Sequence, residues 1–270
     1  MKRHIHIQAI SSDIGYHLAK FWLKRGYTVT GTYRTRNTNV EQLADQGIEV
    51  TDCDLSFPGS VDAAGRWLSD QPRWNVLVLA AGSLEPIGLF ADSNIDEWEL
   101  SICNNFVGQF RYLHRALPLR DLEMSHSPVV LFFAGSGTNS APVRYSSYVV
   151  SKIAAIKMCE LLHAELPDTT FTILGPGWVN TKIHRSTLCA GSEQSGDNYF
   201  RTIEMLKSDS PIPIERVLEC CDWLINARRE VVGGRNFSAV HDPWDSDLIN
   251  LIESNPDAFR LRRSDNDRFG

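Results

Sequence analysis

The 270-residue chain is expected to fold as one α/β domain, a doubly wound parallel sheet with helices on both faces. Strand-like runs alternate with helical patterns along most of its length, the order that a parallel sheet with crossover helices produces. One run, Val76-Leu77-Val78-Leu79-Ala80, is apolar throughout, as a strand buried on both faces must be. A content of 43% hydrophobic and 22% charged residues is ordinary for a globular protein with one sizeable core.

In order, residues 5–10 read as a strand, 14–25 as an amphipathic helix and 27–33 as a second strand rich in Thr and Val. Residues 40–46 read as a short helix, 49–53 as a strand, 61–69 as a helix and 76–80 as the fourth strand. A single long helix is expected over 95–117, then a strand at 129–134, a helix at 147–166 and a strand at 170–174. The pattern dissolves into a polar stretch at 182–209, too long for a plain connector, so a loop or small helical lid is expected over about 182–214. A helix at 215–227 and a strand at 236–240 complete the alternation. The charged end, about 260–270, reads as a disordered tail.

A net charge of −6 and a pI near 5.8 give no electrostatic reason to expect nucleic acid or an anionic membrane as partner. No run approaches ~18 apolar residues, and the N-terminus passes directly into a strand pattern, so a cytoplasmic location is expected. The six cysteines show neither C-x-x-C nor Cys/His ligand spacing, and adjacent Cys220 and Cys221 are badly placed for a disulfide. They are expected to be buried apolar residues or free thiols, with no metal.

The densest chemical signal is Ser147-Tyr148-Val149-Val150-Ser151-Lys152. Residues at i and i+4 share a helix face, so a phenol and an ammonium stand one turn apart. The lysine charge is expected to favour phenolate and lower the tyrosine pKa toward the range useful for proton exchange with an alcohol or ketone. A cofactor is sought at the first strand-to-helix turn, because phosphates dock on helix N-termini at the carboxyl ends of strands. That turn is Gln8-Ala9-Ile10-Ser11-Ser12-Asp13-Ile14-Gly15. Asp13 reads as an N-cap taking first-turn N–H groups, while Ser11 and Ser12 can donate to phosphate.

Here the chain resembles the short-chain dehydrogenase/reductase family, whose turn runs roughly Thr-Gly-x-x-x-Gly-x-Gly. Gly15 fits the last glycine, while Ala9 and Asp13 replace the others. Asp54-Leu55 looks like the pair that flanks the adenine ring, and Ala80-Ala81-Gly82 is similar to Asn-Asn-Ala-Gly with both asparagines lost. Asn105-Phe106-Val107-Gly108 resembles the family's Asn-x-x-Gly. Ser136 lies twelve positions before Tyr148, about one fewer than usual, with Ser140 a less suitable substitute. Pro176-Gly177-Trp178-Val179-Asn180-Thr181 resembles Pro-Gly-x-x-x-Thr.

The resemblance implies a Rossmann-like fold and a catalytic set of Tyr148, Lys152, Ser136 and Asn105. Tyr148 would exchange the proton, Ser136 would orient the substrate oxygen, and Asn105 would hold a water linking the lysine to solvent. Lys152 would also bind the nicotinamide ribose. Cofactor contacts would come from Ser11, Ser12, Ile14, Gly15, Arg34, Asp54, Leu55, Ala81, Gly82, Lys152, Pro176, Gly177, Val179 and Thr181. The second strand ends in Tyr33-Arg34-Thr35-Arg36, two guanidinium groups and no carboxylate, which favours NADP(H) over NAD(H).

Substrate recognition is expected from the lid, where His184, Arg185, Glu193, Asn198, Tyr199 and Arg201 suit a small polar, sugar-like molecule. The segment from Ser238 to Asp245 would cover the site or form a subunit contact. Apolar residues on several faces of the two long helices, among them Phe106, Phe110, Leu113, Ile153, Ile156, Cys159 and Leu161, predict a homodimer or homotetramer. The function expected is an NADP(H)-dependent oxidoreductase acting on a carbonyl or secondary alcohol. The altered turn leaves a non-catalytic dinucleotide-binding or scaffold protein of the same fold as the alternative.

Overall fold

The computed structural model describes residues 2–208, 211–244 and 246–263. Residues 209, 210 and Asp245, and residues 264–270 of the expected tail, lie outside the described residues. Seven strands form one sheet: β1 His4–Gln8, β2 Thr28–Tyr33, β3 Glu49–Asp52, β4 Val76–Leu79, β5 Val129–Phe133, β6 Thr170–Gly175 and β7 Asn236–Ser238. Their order is β3-β2-β1-β4-β5-β6-β7 and every pairing is parallel. The chain winds outward from β1 to β3, then returns to place β4 on the other side of β1. That reversal opens a crevice at the carboxyl ends of β1 and β4.

The helices are α1 Asp13–Lys24, α2 Thr38–Asp45, α3 Pro58–Ser69, α4 Ile95–Ile102, α5 Gly108–Ala116, α6 Ser146–Glu165, α7 Ile183–Ser195, α8 Asp197–Lys207, α9 Ile214–Asn226, α10 Arg229–Val232 and α11 Ser246–Ser254. Strand side chains alternate between two apolar layers. Val76, Val78, Leu131 and Phe133 pack with Leu18 and Trp22 of α1 and Leu224 of α9. Leu77, Leu79, Val130 and Phe132 pack with Leu113 of α5 and Ile156 of α6. Burial on both faces is why β4 and β5 read as unbroken apolar runs. All six cysteines are free, and Cys53, Cys159, Cys220 and Cys221 are buried.

β1 alternates histidine with isoleucine, yet its polar face is buried too. His4, His6, Thr30 and Tyr112 form a hydrogen-bonded chain inside the sheet–helix layer. Burial holds both imidazoles below their usual pKa, hence neutral. The Pro72 carbonyl can only accept, so His4 Nδ1 donates to it at 2.8 Å. Thr30 then donates to His4 Nε2 at 2.8 Å and accepts from His6 Nδ1 at 2.7 Å, leaving His6 Nε2 to accept from the Tyr112 hydroxyl at 2.6 Å.

Several expectations are corrected in detail. β1 stops at Gln8 because Ala9 turns to φ 59°, outside strand geometry. The helix expected over 95–117 is divided by a π-helical segment, Cys103–Val107, which separates α4 from α5. The polar stretch after β6, expected as a loop or small helical lid, is helical and forms α7 and α8. Two further helices, α10 and α11, follow where none was expected. Residues 260–263, assigned to a loose end by their charge, are tied down: Arg262 pairs with Glu160 of α6 at 2.6 Å and with Asp257 at 2.9 Å.

Candidate active site

The first turns of α6 carry Tyr148 and Lys152, both buried. The Lys152 ammonium donates to the main-chain carbonyls of Phe133 at 3.0 Å and Ala81 at 3.3 Å, at the carboxyl ends of β5 and β4. It stands 5.8 Å from the centre of the Tyr148 ring. No hydrogen bond to the phenol forms among the described residues. Its oxygen lies against the main chain at Gly135, where a Cβ would stand 2.6 Å from it. A side chain at that position would push the tyrosine away.

The electrostatics correct the expectation that Lys152 lowers the tyrosine pKa. Burial pushes the Tyr148 phenol up to about 12 and brings the Lys152 ammonium down to about 8. Loss of hydration outweighs a charge that two carbonyls already share.

Ser136 is exposed, one residue beyond the glycine that meets the phenol. Asn105 is buried in the π-helical segment, with Oδ1 accepting from the Ser83 main-chain N–H at 2.9 Å and Nδ2 donating to the Ser83 carbonyl at 2.9 Å and to Ser101 Oγ at 3.1 Å. Its own carbonyl accepts from Gln109 Nε2 at 2.7 Å, and the same amide reaches the Ala81 carbonyl at 3.3 Å. Asn105 and Lys152 are thus connected through Gln109 and Ala81. Sequence reasoning missed Gln109, although it lies one turn beyond Asn105, and Gly135, although it stands thirteen positions before Tyr148.

At the β1–α1 turn Ser12, not Asp13, is the N-cap, its Oγ accepting from Gly15 N at 3.1 Å. Asp13 reaches instead to Lys182, accepting from its main-chain N–H at 2.5 Å. Gly15 is required where it stands, because a Cβ would lie 2.6 Å from the Ala9 carbonyl oxygen. Ser11 and Ile14 are half-buried in the same turn. Arg34 and Arg36 are exposed beyond β2. Asp54 is held below its usual range chiefly by the Ser56 hydroxyl at 2.6 Å, with the Arg34 charge a lesser influence. Leu55 is buried, and Gly82 lies beside Lys152. Pro176, Gly177, Val179 and Thr181 form the loop between β6 and α7, with Val179 buried.

The three residues ahead of α6 hold the two helices that follow β6. Val143 O accepts from Asn198 Nδ2 at 3.0 Å, Arg144 donates to the carbonyls of Glu193 and Gln194 at 3.0 Å, and the Tyr145 and Thr187 hydroxyls meet at 2.8 Å. Leu84, Ile87, Tyr145, Val149 and Ile183 pack with Tyr148 as an apolar wall. His184 stacks on Trp178 with ring centres 4.0 Å apart, Tyr199 meets Phe200 edge-on, and Glu193, Arg185 and Arg201 are exposed. The segment after β7 folds back: Trp244 packs edge-on against Trp223 of α9, and Asp242 accepts from the Ser238 N–H at 2.7 Å.

Among the described residues no helix is long and apolar enough to cross a membrane, and no three His, Cys, Asp or Glu side chains gather as metal ligands.

A parallel sheet in this order, with Tyr148 and Lys152 paired on α6 beneath its carboxyl edge, defines the short-chain dehydrogenase/reductase class. The chain belongs to that family: the family model described as Enoyl-(Acyl carrier protein) reductase matches residues 9–238. It is similar to 3-ketodihydrosphingosine reductase of Candida glabrata, 27% identical over 186 residues, covering 68% of this chain and 47% of the relative. Similarity to 11-beta-hydroxysteroid dehydrogenase A of Arachis hypogaea is 26% over 234 residues, 83% of this chain and 64% of the relative. The chain spans about half the length of the first curated relatives it matches. Among solved structures, a short-chain dehydrogenase/reductase from Saccharomyces cerevisiae superposes with a TM-score of 0.80 at 18% identity, covering 92% of this chain and 98% of that one. Actinorhodin polyketide ketoreductase with NADPH gives 0.74 at 20% identity, covering 88% and 95%.

The residues present fit a nicotinamide dinucleotide. Gly15 leaves the close approach that a diphosphate needs, and Ser11 and Ser12 stand at the N-terminus of α1. Gln8, at the end of β1, keeps a buried amide oxygen without a partner among the described residues. One feature opposes the fit, the Asp13 carboxylate in the same turn.

Proposed function

We propose that the protein is an NADP(H)-dependent oxidoreductase that interconverts a carbonyl and a secondary alcohol. The observation that carries this reading is the Tyr148 phenol, buried beside Lys152 and without a hydrogen-bond partner among the described residues. With its pKa pushed up to about 12, the phenol keeps its proton through the ordinary pH range. It is therefore available as a proton donor to a substrate oxygen.

The bound nicotinamide supplies the hydride, and the chain supplies geometry and proton transfer. Tyr148 donates its proton to the carbonyl oxygen, or accepts the hydroxyl proton in reverse. Ser136 orients that oxygen. Lys152, held by the Phe133 and Ala81 carbonyls, binds the nicotinamide ribose, and Asn105 positions it through Gln109 and Ala81. Ser11, Ser12, Ile14 and Gly15 would hold the diphosphate, Asp54 and Leu55 would flank the adenine, and Ala81, Gly82, Pro176, Gly177, Val179 and Thr181 would supply further cofactor contacts. Arg34 would meet the 2′-phosphate and so select NADP(H).

For the substrate, exposed Arg185 and Arg201 on α7 and α8 support a small polar, sugar-like molecule. A specific observation favours a second reading: the wall beside Tyr148, made by Leu84, Ile87, Tyr145, Val149 and Ile183, suits a carbonyl flanked by hydrocarbon. Two of the relatives are named for a sphingoid-base and a steroid substrate.

Titration of the purified protein with NADPH and with NADH, followed by nicotinamide fluorescence, tests the cofactor assignment. Tighter binding of NADPH is expected; tighter binding of NADH would overturn it.

A further inference from the structure

Asp13 is the residue that the proposed function leaves unused. It occupies the first position of α1, where carboxylates usually serve their own helix, but here Ser12 does the capping. The Asp13 carboxylate accepts instead from the main-chain N–H of Lys182 at 2.5 Å, while the Lys182 ammonium stands 3.9 Å from its other oxygen. Lys182 is the N-cap residue of α7, so one carboxylate lies at the N-termini of two helices. Both termini carry partial positive charge and favour an anion.

The sheet order gives this contact its reach. β1 and β6 are separated by β4 and β5, so a bond from the β1–α1 turn to the β6–α7 loop bridges the carboxyl edge of the sheet across two intervening strands. In an open α/β sheet, ligands lie along that edge at the switch point, here β1 and β4. The bridge and a dinucleotide therefore contend for the same ground, and a diphosphate brought to the α1 N-terminus would face the Asp13 charge.

We infer that Asp13 and Lys182 form a gate over the dinucleotide crevice, in which the Asp13 carboxylate stands in for the cofactor's diphosphate and Lys182 passes from one anion to the other on loading. The inference rests on the reading of the protein as a dinucleotide enzyme. No covalent step is involved. The exchange offsets part of the free energy of cofactor binding, because an ion pair and a short hydrogen bond are given up. It also couples loading to the start of α7, since the Asp13 bond fixes the residue from which that helix springs.

The test is a fluorescence titration with NADPH of the wild-type chain, Asp13→Gly, Asp13→Asn and Asp13→Gly combined with Lys182→Met. Removing the carboxylate is expected to tighten NADPH at least tenfold. Asp13→Asn, which keeps the shape and an acceptor oxygen, is expected to fall between, and it guards against a glycine variant that folds poorly. Lys182→Met is expected to weaken NADPH about tenfold in the Asp13→Gly background. Hydrogen exchange of residues 183–195 without cofactor is expected to rise in both Asp13 variants, independently of any catalysis. Binding by the wild type with unchanged or weaker affinity in both Asp13 variants overturns the gate alone. Absence of NADPH and NADH binding in every variant overturns the dinucleotide reading, and the gate with it.

Discussion

Tyr148 and Lys152 show how a residue pair can be legible in spacing and illegible in charge. Their i, i+4 separation places them on one helix face, and so they stand. The direction of the tyrosine shift was not readable, because it is set by burial at the junction of α6 with β4 and β5, which spacing does not report. The two shifts act on stability in opposite senses. Lys152, lowered from 10.5 to about 8, costs roughly 3 kcal/mol while the unfolded chain is protonated, and the cost fades as pH rises from about 8 through 10.5. Tyr148, raised from 10.0 to about 12, makes stability fall as pH rises through that interval. Urea unfolding of the wild type and Lys152→Met should therefore show the wild type gaining on the variant by roughly 3 kcal/mol between pH 8 and 10.5. A constant difference across that window would refute the buried-ammonium account. At the cofactor end, Arg34→Ala with Arg36→Ala should weaken NADPH by about 1.5–3 kcal/mol and NADH much less. Equal loss for the two cofactors would remove these arginines from the 2′-phosphate.

At the scale of elements, the alternating pattern located all seven strands, and the misses have local causes. The helix over 95–117 carries an unbroken apolar pattern, so nothing in periodicity marks the π-helical segment that turns Asn105 inward to Ser83 and Ser101. β1 was read too long because Ala9 and Ile10 are apolar, although Ala9 takes a left-handed φ of 59° that an L side chain resists. Ala9→Gly is expected to stabilise the chain by about 1 kcal/mol in thermal or urea unfolding; destabilisation would show that the methyl group has a packing role. The polar face of β1 closes on Thr30 and Tyr112. Tyr112→Phe leaves His6 Nε2 buried without its donor and should cost about 1–3 kcal/mol. A loss below that range in urea unfolding would mean that the chain of hydrogen bonds readjusts around the missing hydroxyl.

For the whole molecule, the apolar surface that predicted an oligomer is mostly spent inside the fold. Leu113, Ile156 and Cys159 are core residues, Phe106, Phe110 and Ile153 pack against that core, and Leu161 remains exposed. Leu100 and Val107 on the α4 side and Val150 on α6 are exposed as well. These residues support the expected homodimer or homotetramer. Light scattering at micromolar protein should return a multiple of the 30.4 kDa chain mass, and a mass near one chain would refute the assembly. Both sheet winding and the Tyr148 pair were legible because they follow from periodicity and spacing. The Asp13–Lys182 contact was not, since it joins segments distant in sequence. The proposed role of Tyr148 as proton donor is tested by NADPH oxidation across a panel of polar and apolar ketones, with the wild type and Tyr148→Phe. The wild type is expected to consume NADPH with at least one ketone, while Tyr148→Phe binds NADPH within a few-fold yet turns nothing over. Turnover by Tyr148→Phe at the wild-type rate, or NADPH binding by the wild type with no ketone reduced, would contradict it.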